Sequence, residues 1–194
     1  MSPPRAKYTK EEILSCALEI VRKEGLSALS ARYLGEKLGG SARPIFTVFS
    51  GMEEVKQGTL RMARDLYAGY VDRGLAQTPP FKGVGLEYMR FAAEEPQLFR
   101  ILFMSPDSGI PVSPSGFLRS EENYERILRA LMDFYSLPRT AAERLYRHLW
   151  VYSHGIAALA ATGVDPLNQE EASAQMTEVF TSLLPAIKKG LKDD

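Results

Sequence analysis

Cysteine and histidine, the residues that most often build disulfides and metal centres, are scarce in this chain of 194 residues. The single cysteine, Cys16, excludes an intramolecular disulfide and fits a reducing compartment. The two histidines, His148 and His154, are six positions apart, which is a rotation of about 240° around a helix. They cannot share a helix face, so we predict no metal site, and nothing in the sequence calls for a cofactor.

Long hydrophobic runs and catalytic motifs are also missing. The longest apolar-rich run, around residues 156–163, is too short to span a membrane, and the polar N-terminal residues give no sign of a signal peptide. We find no glycine-rich phosphate loop, no Ser/His/Asp spacing and no paired metal ligands. These absences argue against a membrane partner and against an enzyme.

An excess of one charge is missing as well, since 24 Lys and Arg balance 24 Asp and Glu. A net charge of zero argues against a protein that coats nucleic acid without sequence preference. The distribution is nevertheless uneven, because residues 1–62 hold ten basic and seven acidic side chains. A mildly basic N-terminal unit on an acidic body fits a local DNA footprint, and chance variation in charge is the alternative.

Helical periodicity is what the sequence does contain, and it predicts an all-α fold with about nine helices. Thr9 caps the first helix with Glu12 as its capping-box partner, and a later helix runs from about residue 50 to 73. Pro185 is expected to kink or break the last helix, which begins near Asn168. Helices between these are predicted over residues 81–94, 96–104, 116–135 and 140–162.

Two segments are predicted to lack regular structure. Residues 1–8 form a disordered arm, in which Arg5 and Lys7 either touch DNA phosphates or are simply solvated. Residues 105–116, rich in proline, serine and glycine, form a loop that is either a lid over a ligand site or a plain surface loop.

Residues 29–49 carry the strongest functional signal. Ser30 is a good N-cap for a first short helix, and Gly39 with Gly40 ends that helix. Ser41 then caps a second short helix with Pro44 in its first turn, and the apolar side of this helix is formed by Ile45, Phe46 and Phe49. Two such helices form a helix-turn-helix, whose second helix can lie in the DNA major groove; an ordinary pair of packed helices is the alternative.

DNA contacts divide into those to phosphates and those to bases. The candidates for phosphate contacts are Ser30, Arg32, Thr47 and Lys56. The candidates for contacts from the start of the second helix are Ser41, Ala42, Arg43 and again Thr47. Arg43 is the best base-reading residue among them, because the two N–H donors of arginine match the acceptors of guanine.

Residues 13–62 resemble the N-terminal domain of the TetR/AcrR family of bacterial transcriptional regulators. The matching pieces are Ile13…Ala17…Glu24-Gly25, Leu29-Ser30-Ala31-Arg32, Leu38-Gly39-Gly40-Ser41 and Ile45-Phe46-Thr47-Val48-Phe49. Two further pieces resemble the ligand-binding half of the subgroup named for its Trp…His-Gly motif; they are Phe91-Ala92…Glu95-Pro96-Gln97-Leu98-Phe99-Arg100 and Trp150-Val151-Tyr152-Ser153-His154-Gly155. The resemblance implies a helix-turn-helix DNA-binding domain over residues 1–54 and a ligand-binding and dimerisation domain over residues 55–194.

The resemblance also implies how the protein acts. It implies a cytoplasmic homodimer, on the nucleoid when bound to a double-stranded DNA operator, and most simply a repressor released by a small apolar or amphipathic effector. Aromatic residues of the body are either plain core or walls of the effector pocket; the candidate pocket residues are Phe91, Phe99, Phe103, Tyr124, Trp150 and His154. The last two helices would form the dimer interface, with the candidates Ala158, Met176, Phe180, Leu183 and Leu184.

Three residues depart from the family pattern. Phe46 and Val48 stand where tyrosine and histidine are common, and Met52 stands where lysine is usual. Each change removes a polar group that would face a DNA phosphate. The alternative function is therefore a helical small-molecule-binding protein, or a small enzyme, with weak or lost DNA binding. His154 shares a helix face with Trp150 and is either a buried histidine with one hydrogen bond or a ligand contact.

Overall fold

The computed structural model describes residues 7–105 and 123–190. These residues form α-helices, two short 3-10 helices and no strand, so the predicted all-α fold is confirmed. The α-helices are α1 (Lys10–Glu24), α2 (Ala31–Lys37), α3 (Met52–Leu75), α4 (Pro80–Glu94), α5 (Pro96–Phe103), α6 (Tyr124–Tyr135), α7 (Arg139–Thr162) and α8 (Gln169–Gly190). The predicted arm up to residue 6, the loop after residue 105 and the predicted helical start at residues 116–122 lie outside the described residues.

The chain divides into two compact units. The N-terminal unit contains the described residues up to Leu66 together with Gln97–Met104. The C-terminal unit contains Tyr67–Pro96, Ser105 and residues 123–190. The structural division falls inside α3, whereas the functional boundary between residues 54 and 55 stays a prediction.

Helix α1 shows how local sequence signals fix the N-terminal unit. The Thr9 hydroxyl accepts a hydrogen bond from the Glu12 N–H at 3.1 Å, and the Glu12 carboxylate accepts one from the Thr9 N–H at 2.7 Å. This confirms the capping box, and Gly25 ends the helix at φ 83°. The buried face of the helix consists of Ile13, Ala17, Leu18, Ile20 and Val21.

Helix α4 is the centre of the C-terminal unit, where it packs against α6, α7 and α8. Its side chains Met89, Phe91 and Ala92 have no solvent-exposed surface. At Gly74 a Cβ would lie only 2.6 Å from backbone atoms of Val84. The end of α3 therefore approaches α4 closely because residue 74 has no side chain.

Helix α8 starts as predicted but does not break. The Asn168 side chain accepts hydrogen bonds from the N–H groups of Glu170 and Glu171 at 3.1 and 3.2 Å, which confirms the predicted cap. Of the kink or break expected at Pro185, the break does not occur, since the helix continues to Gly190. Proline removes one helical hydrogen bond to Thr181, and this residue is exposed, so water can take the place of the lost donor.

Candidate functional site

The first helix of the helix-turn-helix forms as the sequence predicts. The Ser30 hydroxyl accepts a hydrogen bond from the Tyr33 N–H at 3.2 Å and so caps α2. Gly39 adopts φ 80° after the helix, a left-handed conformation that glycine tolerates without strain. Leu34 on the inner face of α2 is fully buried. Helix α2 is therefore held by its cap, its glycine end and its core contact.

Gly35 sets how closely the turn approaches α2, a role that the sequence analysis missed. A Cβ at this position would lie 2.6 Å from backbone atoms of both Ser41 and Ala42. Since real Cβ atoms do not come that close to backbone, a larger residue would push the turn away from α2. A glycine inside a predicted helix, four residues before the glycine pair that ends it, was the available signal.

The second element is not an α-helix, and the prediction of a regular helix capped by Ser41 is wrong. The chain forms turns and then a 3-10 helix, Ile45–Thr47, with no side-chain cap. Thr47 donates both its N–H and, at 2.6 Å, its hydroxyl to the Pro44 carbonyl. Three β-branched residues among residues 45–48 lower the helix propensity, and so short a segment gains little from helix cooperativity.

The 3-10 element is anchored by two apolar side chains and exposes a third. Ile45 is fully buried and Phe49 is 5% exposed, whereas Phe46 is 49% exposed. Phe46 was assigned to the apolar side of this element with Ile45 and Phe49, and it does not share their burial. An exposed phenylalanine therefore lies among the candidate DNA-contacting residues.

The candidate DNA-contacting residues are at the surface of the N-terminal unit. Ala42 and Lys56 are partly exposed, and the others, Ser30, Arg32, Ser41, Arg43 and Thr47, are exposed. Arg32 forms an ion pair with Glu36 at 3.0 Å. An ion pair this exposed is weak, so a phosphate can replace the carboxylate. The roles of these residues stay predictions.

Glu54 organises the start of α3 next to the 3-10 element. Its carboxylate accepts hydrogen bonds from Lys10 Nζ at 2.7 Å and from the Ser50 N–H and hydroxyl at 2.8 and 2.9 Å. The Lys10 and Ser50 hydrogen bonds lower the pKa of Glu54 to about 2. The carboxylate is therefore ionised at neutral pH and ties α1 to α3.

The C-terminal unit encloses a small aromatic cavity of about 30 Å³ between α4 and α7, with one residue each from α3 and α8. This volume holds one water molecule at most, so a ligand must widen it. The lining residues are Tyr67, Phe81, Val84, Gly85, Tyr88, Tyr146, Leu149, Trp150, Ser153 and Met176.

The six predicted pocket residues do not line one common cavity. Trp150 lines the cavity, and His154 stacks on it with ring centroids 4.9 Å apart. Phe91 is completely buried. Tyr124 lies one layer outside the cavity and stacks on Tyr146 at 5.5 Å. The other two predicted residues, Phe99 and Phe103, belong to the N-terminal unit, where their rings are 5.2 Å apart.

Most of the cavity wall was missed by the sequence analysis, although a signal for it exists. The α4 residues at positions 81, 84, 85 and 88 have the spacing of one helix face, and so do the α7 residues at positions 146, 149, 150 and 153. The pattern shows that the residues of each helix lie on one face of that helix. It does not show that the two faces meet, because that depends on how α4 and α7 pack.

His154 has features of both predicted roles, a buried histidine with a hydrogen bond and a residue beside a ligand site. Its Nδ1 atom lies 2.8 Å from the Tyr88 hydroxyl, as a histidine with a hydrogen bond in a helix interface would. It also adjoins two residues that line the cavity. Burial lowers the pKa of His154, which keeps the imidazole neutral at pH 7. The ring therefore brings a neutral polar group to the edge of an aromatic cavity.

A larger groove of about 820 Å³ runs between α4 and the first half of α8. Its buried carboxylate, Glu87, accepts hydrogen bonds from Arg73 at 3.0 Å and Arg90 at 2.8 Å. The lining cations Lys82 and Arg90 are accompanied by three carboxylates, from Glu87, Glu170 and Glu178. The mixture of charges and the open shape give the groove no evident preference for one class of ligand.

The predicted dimer residues differ in how much surface they offer. Met176 is 3% exposed and packs within the chain, with its sulfur 3.2 Å from the Ser153 hydroxyl. The other four candidates, Ala158, Phe180, Leu183 and Leu184, are partly exposed. On α7, Val151 and Leu159 add apolar side chains that are 51% and 44% exposed.

Comparison with known proteins gives the family. Residues 81–187, more than half of the chain, match the family described as the tetracycline repressor-like C-terminal domain. No curated protein matches the chain. Across residues 7–105 and 123–190, no helix is long and apolar enough to cross a membrane, and no three His, Cys, Asp or Glu side chains are grouped to hold a metal. The Trp…His-Gly subgroup stays a prediction, but the chain belongs to the TetR family of transcriptional regulators.

Proposed function

We propose that this protein is a homodimeric transcriptional repressor that leaves its operator when a small apolar or amphipathic effector binds the C-terminal unit. The observation that carries the proposal is the family match over residues 81–187, because this segment supplies nearly all of the wall of the aromatic cavity. The family points to a regulator and not to an enzyme. We place its action in the cytoplasm, at an operator on the nucleoid.

DNA binding is supported by the geometry of the N-terminal unit. Ile45 and Phe49 are buried, so they fix the 3-10 element against the unit's core, while Thr47 on this element and Arg43 in the turn before it are exposed. An arginine on a fixed backbone can make the paired hydrogen bonds that distinguish guanine. The absence of a regular recognition helix limits the number of base contacts, which makes dimerisation more important for specificity.

Dimerisation is supported by the apolar residues that α7 and α8 leave at the surface. Val151 and Leu159 on α7 are exposed, and Phe180, Leu183 and Leu184 on α8 are partly exposed, so both helices offer apolar surface to a partner. A two-fold dimer would present two helix-turn-helix units to half-sites about 34–36 Å apart. Two units together contact enough base pairs to select a site, which one unit alone does not.

Release by effector requires that the ligand bind one conformation more tightly than the other. Tyr67, which lines the cavity, belongs to α3, and the same helix contributes residues 52–66 to the N-terminal unit. A ligand that displaces Tyr67 therefore acts on a helix whose other end carries Lys56. Coupling of about 1–3 kcal/mol would change operator affinity by about 5–150-fold.

The test is a fluorescence-anisotropy titration of the full-length protein with the DNA that flanks its own gene, alongside random DNA at the same salt concentration. We expect a salt-sensitive preference for one flanking site. An effector should then lower operator affinity, and the operator should lower effector affinity by the same factor. Equal affinity for all DNA would contradict the proposal and favour a ligand-binding protein that has lost operator recognition.

A further inference from the structure

The cavity of the C-terminal unit is selective against charge. None of the ten described residues that line it is charged, and five of them are aromatic, namely Tyr67, Phe81, Tyr88, Tyr146 and Trp150. Moving a charged group from water into such surroundings costs several kcal/mol without a compensating partner. The chemistry of the wall therefore favours a neutral ligand.

The aromatic side chains are arranged in the geometries that rings prefer. Tyr67 and Tyr88 meet edge to face at 6.1 Å and 76°, and Phe81 meets Tyr146 at 5.5 Å and 89°. Trp150 presents one face to His154 in a stack at 4.9 Å and 20°. A flat ring inserted among these side chains can adopt the same edge-to-face and offset-stacked contacts, whereas a thick saturated ring cannot.

Among the polar groups of the wall, which include the hydroxyls of three tyrosines and of Ser153, the Tyr88 hydroxyl is paired with the imidazole of His154. The Tyr88 hydroxyl lies 2.8 Å from Nδ1 of His154, and a neutral imidazole can accept or donate at that atom, depending on its tautomer. The tautomer of His154 therefore decides whether the Tyr88 hydroxyl donates a hydrogen bond to the imidazole or accepts one from it. A ligand hydroxyl can offer the Tyr88–His154 pair either a proton or a lone pair, so the pair suits a ligand with one such group.

Met176 fills the space that a ligand would need. Its terminal methyl group lies 3.1 Å from where a Cβ on Gly85 would be, so the missing side chain of Gly85 makes room for it. Methionine is unbranched and flexible, which makes it the easiest large side chain of the wall to displace. An apolar cavity on the order of 150 Å³ accepts benzene, so the present 30 Å³ must widen several-fold.

We propose that this cavity binds a neutral, planar, one- or two-ring aromatic molecule with a single hydrogen-bonding group, which displaces Met176 and is recognised by Tyr88 paired with His154. The proposal rests on the proposed function in that it names the class of effector. It also makes Met176, and through it α8, the element that moves when the ligand enters.

The test uses three probes of similar size on the full-length protein: p-cresol, toluene, which lacks the hydroxyl, and 4-methylcyclohexanol, which lacks planarity. Trp150 is the sole tryptophan and lies in the wall, so its fluorescence reports binding. We expect p-cresol to bind about 2–10-fold more tightly than toluene, the effect of one net hydrogen bond. It should also bind more tightly than the saturated alcohol. Equal affinities for all three probes, or no binding of any, would overturn the proposal.

Two variants and a control locate the site. Tyr88→Phe should abolish the preference for p-cresol over toluene. Met176→Ala should strengthen the binding of both, because the space is already open. Arg147→Ala, on the exposed side of α7, should leave all three affinities unchanged. If Tyr88→Phe does not fold, the comparison of the three probes on the wild type still decides.

Operator binding, measured in parallel, separates this proposal from the general one. If another molecule releases the protein from its operator while p-cresol does not bind, the class of ligand is wrong and the repressor assignment stands. If p-cresol binds with the expected selectivity and the protein prefers no DNA site, the ligand class stands and the repressor assignment fails.

Discussion

One ion-paired carboxylate from each unit, Glu54 and Glu87, shows how differently the two can be surrounded. In the N-terminal unit, the Glu54 side chain is 35% exposed and pairs with Lys10 at 2.7 Å. In the C-terminal unit, the Glu87 side chain is 3% exposed and pairs with two arginines. Water can replace the partner of an exposed carboxylate but not that of a buried one. The ionic contacts of Glu54 thus fix local geometry, whereas those of Glu87 are needed for the folded state to hold a buried charge.

The largest effect should come from removing both partners of Glu87. The double variant Arg73→Met/Arg90→Met leaves a buried carboxylate without an ion pair, and we expect a loss of about 3 kcal/mol in the free energy of unfolding. Urea denaturation followed by circular dichroism measures this. Adding Glu87→Leu to the double variant should recover most of the loss, since the buried charge is then gone.

Lys10→Met is the matched control in the N-terminal unit. It removes the ion-pair partner of Glu54, and the Ser50 N–H and hydroxyl still bind that carboxylate. We expect a denaturation curve close to that of the wild type. If Lys10→Met destabilised the protein as much as the Arg73/Arg90 double variant, the contrast between the two carboxylates would be wrong.

The second prediction concerns the exposed apolar surface of the C-terminal unit, which we propose as the dimer interface. Leu159→Glu places a charge on a side chain that is 44% exposed in the single chain, so it should leave the fold intact and dissociate the proposed dimer. Sedimentation velocity at micromolar concentration measures the change. Arg129→Glu on α6 is the control, also exposed, and should remain dimeric. A wild-type monomer at this concentration would refute the dimer.

Sequence reasoning succeeded where structure is decided by neighbours in the chain. The capping box of Thr9 with Glu12, the caps at Ser30 and Asn168 and the glycine ends at Gly25 and Gly39 each involve a few consecutive residues. Their hydrogen bonds are within reach whatever the rest of the fold does. The helix boundaries were therefore largely predictable.

Sequence reasoning failed where the structure depends on packing between segments that are distant in the chain. The segment after Ser41 carried a cap and a first-turn proline, but β-branched residues and the burial of Ile45 and Phe49 favoured a 3-10 turn. The cavity wall needs α4 and α7 to face each other, and no local pattern reports that. Phe99 was proposed as a pocket wall from the family resemblance and its aromatic character, and it belongs to the other unit.

The third prediction concerns base reading in the N-terminal unit. Arg43→Ala should lower operator affinity by about 1–3 kcal/mol and relax the preference at one base pair. Lys56→Ala should weaken operator and random DNA by the same factor, as expected for a phosphate contact. Anisotropy titrations with operators mutated one position at a time measure both. If Arg43→Ala also weakens all DNA equally, its base-reading role is wrong.

The smallest expected effect concerns Phe46, where the N-terminal unit exposes an apolar side chain in the candidate DNA surface. Phe46→Tyr adds the hydroxyl that the family commonly has there, and because the ring is 49% exposed the addition should not disturb the fold. We expect a gain of about 0.5–1.5 kcal/mol in affinity for operator and random DNA alike, from one hydrogen bond to a phosphate. Phe49→Tyr is the matched control. Its ring is 5% exposed, so the same added hydroxyl should lower stability and not raise affinity. A loss of operator affinity in Phe46→Tyr, with random DNA unaffected, would mean that the phenylalanine ring itself contacts a base, for which the methyl group of thymine is the natural apolar partner.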